Sequence, residues 1–250
     1  MIRARTVIIK LSSYASEEKK KTNEHYFKTG KGEYAKGDIF IGLSMPTLRN
    51  ISKKFIKISY LELQKLIENE IHEVRLCGLL ILILPYKSVD KKDLQKTLKQ
   101  QTEITNFYLK NTKHINNWDL VDCSAHLIIG QSILDSAKPR SLLFELIKSP
   151  NLWERRIGII STWILIRSGD IKTPLQLSEK LLSDKEDLIQ KATGWMLRAA
   201  WKRNPNSVED FVIRHYQKSG EQHSDTQLNE WKKRKESAFS KGNLIDRTNR

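Results

Sequence analysis

The sequence predicts an all-α chain built as a solenoid of helical repeats. Three observations carry this. Apolar residues recur at helical spacing in segment after segment, divided by short turns that hold capping residues. Period-two alternation is almost absent, and no Asn-Gly hairpin signal occurs. The helix openings also resemble one another. His72-Glu73-Val74-Arg75-Leu76-Cys77-Gly78 can be laid over Trp153-Glu154-Arg155-Arg156-Ile157-Gly158, Trp118-Asp119 opens with the same ring and acid, and Leu188 to Gly194 is a weaker copy. Arg75 to Asp122 is 47 residues, Asp122 to Arg156 is 34 and Arg156 to Lys191 is 35. Degenerate copies at that spacing, two helices each, predict an α-solenoid of HEAT-like repeats. Its second helices would line a concave basic groove holding Arg75, Trp118, Asp122, Trp153, Arg156 and Lys191.

In chain order, residues 1–28 read as mostly helical. Lys28 to Asp38 follows as a loop, because three glycines fall within eight residues; its lysines and Tyr34 suit either a phosphate contact or an exposed connector. Ser44, with Pro46 just inside, opens a helix to Phe55 that carries Arg49. Ser59 caps a helix to Glu70, and His72 opens one to Pro85. Further helices are predicted over 89–111, 118–134, 139–147, 152–167, 174–182, 185–203 and 205–216. Residues 1–216 form the predicted repeat domain; 217–250 are a divergent basic segment, with a short helix over 228–239 and a loose tail.

Lys and Arg number 44 against 29 Asp and Glu, a net charge of +15 over 250 residues. Such a balance points to a polyanionic partner, nucleic acid or an anionic membrane surface, against the plainer reading of a solvated basic face. Cys77 and Cys123 lie in apolar runs and read as core residues; neither they nor the six histidines show metal-ligand spacing. No metal and no cofactor are expected. The N-terminal apolar run stops at Lys10, too short for a signal peptide, and the longest apolar run, Leu76 to Pro85, is too short to span a bilayer. A cytoplasmic protein is expected, with no membrane partner.

The stretch Asn116-Asn117-Trp118-Asp119-Leu120-Val121-Asp122 carries the candidate site. Either asparagine suits an N-cap, and Asp119 falls where the helix dipole favours an acid. Trp118 and Asp122 share a face. Asp122 lies beyond capping range, so a carboxylate that stabilises a developing cation is set against a paired structural acid. Trp118 and Trp195 offer π-faces to a cationic group or pack in the core. Of the neighbours Arg155 and Arg156, one can face the groove, where its fork suits a phosphate, and the other solvent or an acid. No nucleophile–base pair and no phosphate-binding glycine loop are visible.

The chain resembles the AlkD family of DNA alkylation repair enzymes, HEAT-like DNA glycosylases. The resemblance spans about residues 20–212. It rests on Tyr26 to Tyr34, on Gly42 with Pro46-Thr47-Leu48-Arg49, and on His72 to Arg75. It continues through Asn116 to Asp122, Leu152 to Arg156, and Lys191 to Arg198. It implies a monofunctional glycosylase that releases cationic N3- or N7-alkylated purines from duplex DNA, works as a monomer on nucleoid DNA and leaves an abasic site. The family's site set falls on Trp118, Asp122, Arg156 and Trp195. By this resemblance Asp122 would stabilise an oxocarbenium-like sugar and position water, the indoles would pack around the lesion, and Arg156 would hold the phosphodiester. Lys28, Lys31, Tyr34, Arg49, Arg75 and Lys191 are the expected DNA contacts. The family's usual C-terminal segment has no counterpart in 213–250, and Ala199-Ala200-Trp201 stand where an acid is usual. The alternative from another class is a non-catalytic HEAT-like module that binds nucleic acid through the same groove; a protein-binding solenoid fits the charge least.

Overall fold

A computed structural model describes residues 2–87 and 93–218. They form fourteen α-helices: α1 (Ala4–Ser12), α2 (Glu17–Tyr26), α3 (Met45–Lys53), α4 (Tyr60–Ile67), α5 (His72–Lys87), α6 (Leu94–Lys110), α7 (Trp118–Ala125), α8 (Gln131–Leu134), α9 (Ser141–Leu146), α10 (Leu152–Ile160), α11 (Thr162–Arg167), α12 (Lys172–Leu181), α13 (Asp187–Trp201) and α14 (Pro205–Lys218). Among the described residues the nearest thing to a strand is one parallel bridge between Ile39 and Ile71. No helix among them is long and apolar enough to cross a membrane. The predicted short helix at 228–239 and the tail lie outside the described residues.

Side chains that accept an otherwise orphaned backbone N–H set the helix starts. Ser16, Ser44, Ser59, Asp93, Asn117 and Asn151 each do so. Ser16 is why the mostly helical N-terminal stretch forms two helices: it caps α2, and its own N–H is donated to the Ile41 carbonyl. The expected 152–167 helix divides at Ser161, whose hydroxyl bonds the carbonyls of Ile157 and Ala125. Between α7 and α8 a π-helical segment, His126–Gly130, lets the helix bulge where α11 packs on it. Gly130 is required there, since a Cβ would sit 2.3 Å from the Ser161 carbonyl oxygen.

Helices pair as α4 with α5, α5 with α6, α9 with α10 and α12 with α13. The second helices α5, α7, α10 and α13 then pack each on the next in a row, the arrangement of an α-solenoid. One apolar core runs from Ala4 to Val208 through these layers.

Two details fix the repeat register. Arg75 donates from one guanidinium nitrogen to the carbonyls of Asn69 and Glu70, and Arg155 does the same to Ser149 and Pro150. Gly78 lets α5 close on Leu66 and Ile67, as Gly158 lets α10 close on Leu146 and Ile147. Arg75 therefore corresponds to Arg155, and the sequence alignment that set it against Arg156 is one residue out. Gln190 repeats the device on α13, donating to the carbonyls of Leu181, Leu182 and Asp184.

Candidate active site

The row of second helices brings four helix openings side by side, and side chains tie each to the next. Asn117 caps α7 by accepting the Trp118 N–H at 2.8 Å, so the indole and the Asp122 carboxyl start from a fixed first turn. Asp122 points across to α10. Arg156 Nε donates to its Oδ1 at 2.9 Å, and a second guanidinium nitrogen to Oδ2 at 2.8 Å. The third nitrogen of Arg156 donates to the Leu188 carbonyl at the start of α13. The Asp122 side chain is 18% exposed and that of Arg156 7%. Burial pushes the Asp122 carboxyl above the ordinary aspartate range, and Arg156 draws it part of the way back.

Trp118 sits in a stack of rings. Its indole lies on Phe27 at 5.1 Å, Phe27 on Phe40 at 5.1 Å, and Phe40 on the His72 imidazole at 4.5 Å. The ring of Tyr26, 63% exposed, meets Trp118 edge-on at 5.7 Å. Trp195 is a half-buried ring on α13 whose neighbour is Trp163 of α11, at 5.7 Å.

Behind this lies a buried charge cluster. His72 Nδ1 bonds Asp38 at 3.1 Å and Nε2 bonds Asp119 at 2.8 Å. Asp38 also accepts from Arg75 at 2.6 Å and from Asn117 at 3.1 Å. Burial disfavours the His72 cation, yet Asp119 and Asp38 outweigh it and raise the imidazole to about 9. The Asp38 carboxyl, which burial alone would raise, is held below its ordinary range by His72, Arg75 and Asn117. The folded chain thus keeps a proton on His72 that the unfolded chain releases near pH 6.5. Stability should be fully present below about pH 6.5 and fall as pH rises toward 9, by an amount on the order of 3 kcal/mol. Urea unfolding across that window should show the fall in the native chain, and a flat response in His72→Gln.

The structure corrects two expectations. Arg75 does not line the groove: its side chain is 6% exposed and engages Asp38 and two carbonyls. Trp153 is buried in the core. Arg156, the residue expected to hold the phosphodiester, donates to Asp122 and Leu188. Arg155 takes the other alternative left by the sequence and pairs with Asp184 at 2.7 Å. Lys28 and Lys31 are exposed on the 28–38 loop, Arg49 is exposed on α3, and Lys191 is exposed near Asp187, 2.6 Å away. Cys123, close to the site, has its thiol pushed to about 12, first by burial and then by Asp119 and Asp122.

Sequence reasoning missed the Asp38–His72–Asp119 bridge, which joins positions far apart in the chain. It also missed Glu73, which accepts the N–H groups of Ile41, Gly42 and Leu43. Gly42 was the available signal. Its φ is +78°, and a Cβ would lie 2.1 Å from the Ser16 carbonyl oxygen, so the chain must pass there bare.

An α-solenoid whose second-helix row carries a guanidinium-held carboxylate beside an indole defines the class: a helical-repeat protein with a candidate site at its helix openings. A model of the DNA alkylation repair enzymes matches residues 7–224, and the chain belongs to that family. Membership assigns it a DNA repair role, with DNA as the substrate the family implies. Among solved structures it is similar to a protein from Enterococcus faecalis described as a predicted DNA alkylation repair enzyme. The two are 17% identical with a TM-score of 0.60, over 80% of this chain and 89% of that one, a likeness of fold. No curated protein matches the chain.

Proposed function

We propose that the protein is a monofunctional DNA glycosylase that hydrolyses the N-glycosidic bond of cationic N3- or N7-alkylated purines in duplex DNA. The observation that carries this reading is Asp122, an ionisable carboxylate fixed by Arg156 at a partly open helix mouth next to Trp118. An alkylated purine already bears a positive charge. When its bond to C1′ breaks, the electron pair returns to the base, which leaves neutral and needs no general acid. The strain falls on the sugar, which becomes oxocarbenium-like. Asp122 lies ready to stabilise that charge and to orient the water that adds to C1′; the water's proton passes to solvent and an abasic site remains. A carboxylate has about four lone-pair directions, and Arg156 takes two, so two remain for water and sugar. Trp118 and Trp195 would pack against the sugar and backbone around the lesion. Arg156 orients Asp122, while Lys28, Lys31, Arg49 and Lys191 are the proposed contacts that bring DNA to the row.

The test is base release from duplex DNA carrying N7-methylguanine or N3-methyladenine. Release of free base without strand cleavage is expected. One observation favours a second reading, a non-catalytic DNA-binding module: both Asp122 oxygens are already neutralised by Arg156. DNA binding that weakens steeply with salt, with no release from either lesion, would establish that reading instead.

A further inference from the structure

The 28–38 loop is not absorbed by the chemistry above, yet it reaches the site at two points. At its end, Asp38 accepts from Asn117 Nδ2 at 3.1 Å, and Asn117 is the residue that caps α7. Near its middle, Tyr34 accepts from Trp118 Nε1 at 2.8 Å. The Tyr34 ring also meets the Trp153 ring of α10 edge-on at 6.5 Å. The loop has its own fastenings: the Gly30 N–H donates to the Glu33 carboxylate at 2.7 Å, and Asp38 is locked by Arg75 and His72. An indole on a helix surface can turn about two side-chain bonds. Here Phe27 covers one face of Trp118 and Tyr34 holds the only hydrogen-bonding atom the ring possesses. Both restraints come from the N-terminal part of the chain, outside the row of second helices.

We infer that Tyr34 is a positioning residue: its hydroxyl, carried on the 28–38 loop, fixes the rotamer of Trp118 and thereby the face that the indole presents beside Asp122. The inference rests on the glycosylase reading for its kinetic consequence, but not for its geometry. Because its hydroxyl oxygen accepts from Trp118, Tyr34 acts on the site through the indole. Burial raises this phenol above its ordinary range, so it stays protonated at neutral pH. Trp118 Nε1 is spent and is not offered to DNA.

The experiment uses the full chain labelled with nitrogen-15, with Trp118→Phe identifying the Trp118 indole signal. In the native chain the Trp118 Nε1–H should exchange slowly with solvent. In Tyr34→Phe its signal should shift and its exchange should accelerate by at least about tenfold, while the other indoles hold still. Single-turnover base release from N7-methylguanine duplex should fall about tenfold in Tyr34→Phe, with DNA affinity within about twofold. In a Trp118→Phe background the Tyr34 substitution should cost nothing further, because the residue acts through the indole. An unprotected Trp118 indole in the native chain, an unchanged rate, or an equal loss in the Trp118→Phe background would overturn the inference. Should the native chain release no base, the glycosylase reading fails alone, and the exchange measurement still decides whether Tyr34 holds Trp118.

Discussion

Asp122→Asn should lower base release from N7-methylguanine duplex by about 10²- to 10³-fold while DNA binding stays within a few-fold. That is the usual size of effect for removing one preorganised electrostatic contact to a charge that develops in the transition state. The substitution keeps the shape and one acceptor oxygen, so Arg156 retains one of its two bonds to position 122. It removes the negative charge and turns an N–H₂ toward the guanidinium. Single-turnover release, with circular dichroism to establish the fold, makes the measurement. A loss under about threefold would show that Asp122 is structural, an acid kept to neutralise Arg156.

The second large effect is on Arg156→Met. This variant leaves Asp122 in its buried setting without the cation that draws its carboxyl back toward the ordinary range. The folded pKa must then rise further. Base release needs the ionised form, so at neutral pH the rate should fall by about tenfold or more, and the acid limb of the pH profile should move up by at least about one pH unit. Raising the pH should recover part of the loss. Stability carries the same sign in reverse. A carboxyl whose folded pKa exceeds its unfolded value holds a proton that the unfolded chain has released, so stability should decline as pH rises through that window. At neutral pH the lost pair should cost roughly 3 kcal/mol, and less in acid, where Asp122 is neutral. A pH profile that does not move would separate Arg156 from Asp122 and return it to the role of a phosphate ligand.

The fold was open to reading in the sequence because its signals are local. A serine or asparagine ahead of an apolar run marks a helix start, and Ser44, Ser59 and Asn117 do what that chemistry requires. That Trp118 and Asp122 lie on one face of one helix is legible for the same reason: residues four apart on a helix share a face. What stayed hidden needs two distant segments at once. Nothing near Asp38 announces that it meets His72, nor near Glu73 that it gathers the backbone around Gly42. The error over Arg75 has a similar source. Two adjacent arginines in one repeat and one in another leave the register open by a residue, and only the carbonyls of Asn69 and Glu70 settle it. A one-residue slip on a helix turns a side chain by about 100°, enough to send a groove residue into the interior.

The ties between second helices also bear on how the chain comes apart. In a solenoid stabilised mainly by contacts between neighbouring repeats, one end can fray while the other holds, and denaturation spreads over a range of conditions. Here Asp38 holds α5 through His72, His72 holds α7 through Asp119, Asp122 holds α10 through Arg156, and Arg156 holds α13 through Leu188. Each link leaves a buried charge or an orphaned donor if its neighbour departs. The four repeats should therefore melt as a single cooperative block, with coincident transitions by circular dichroism and tryptophan fluorescence.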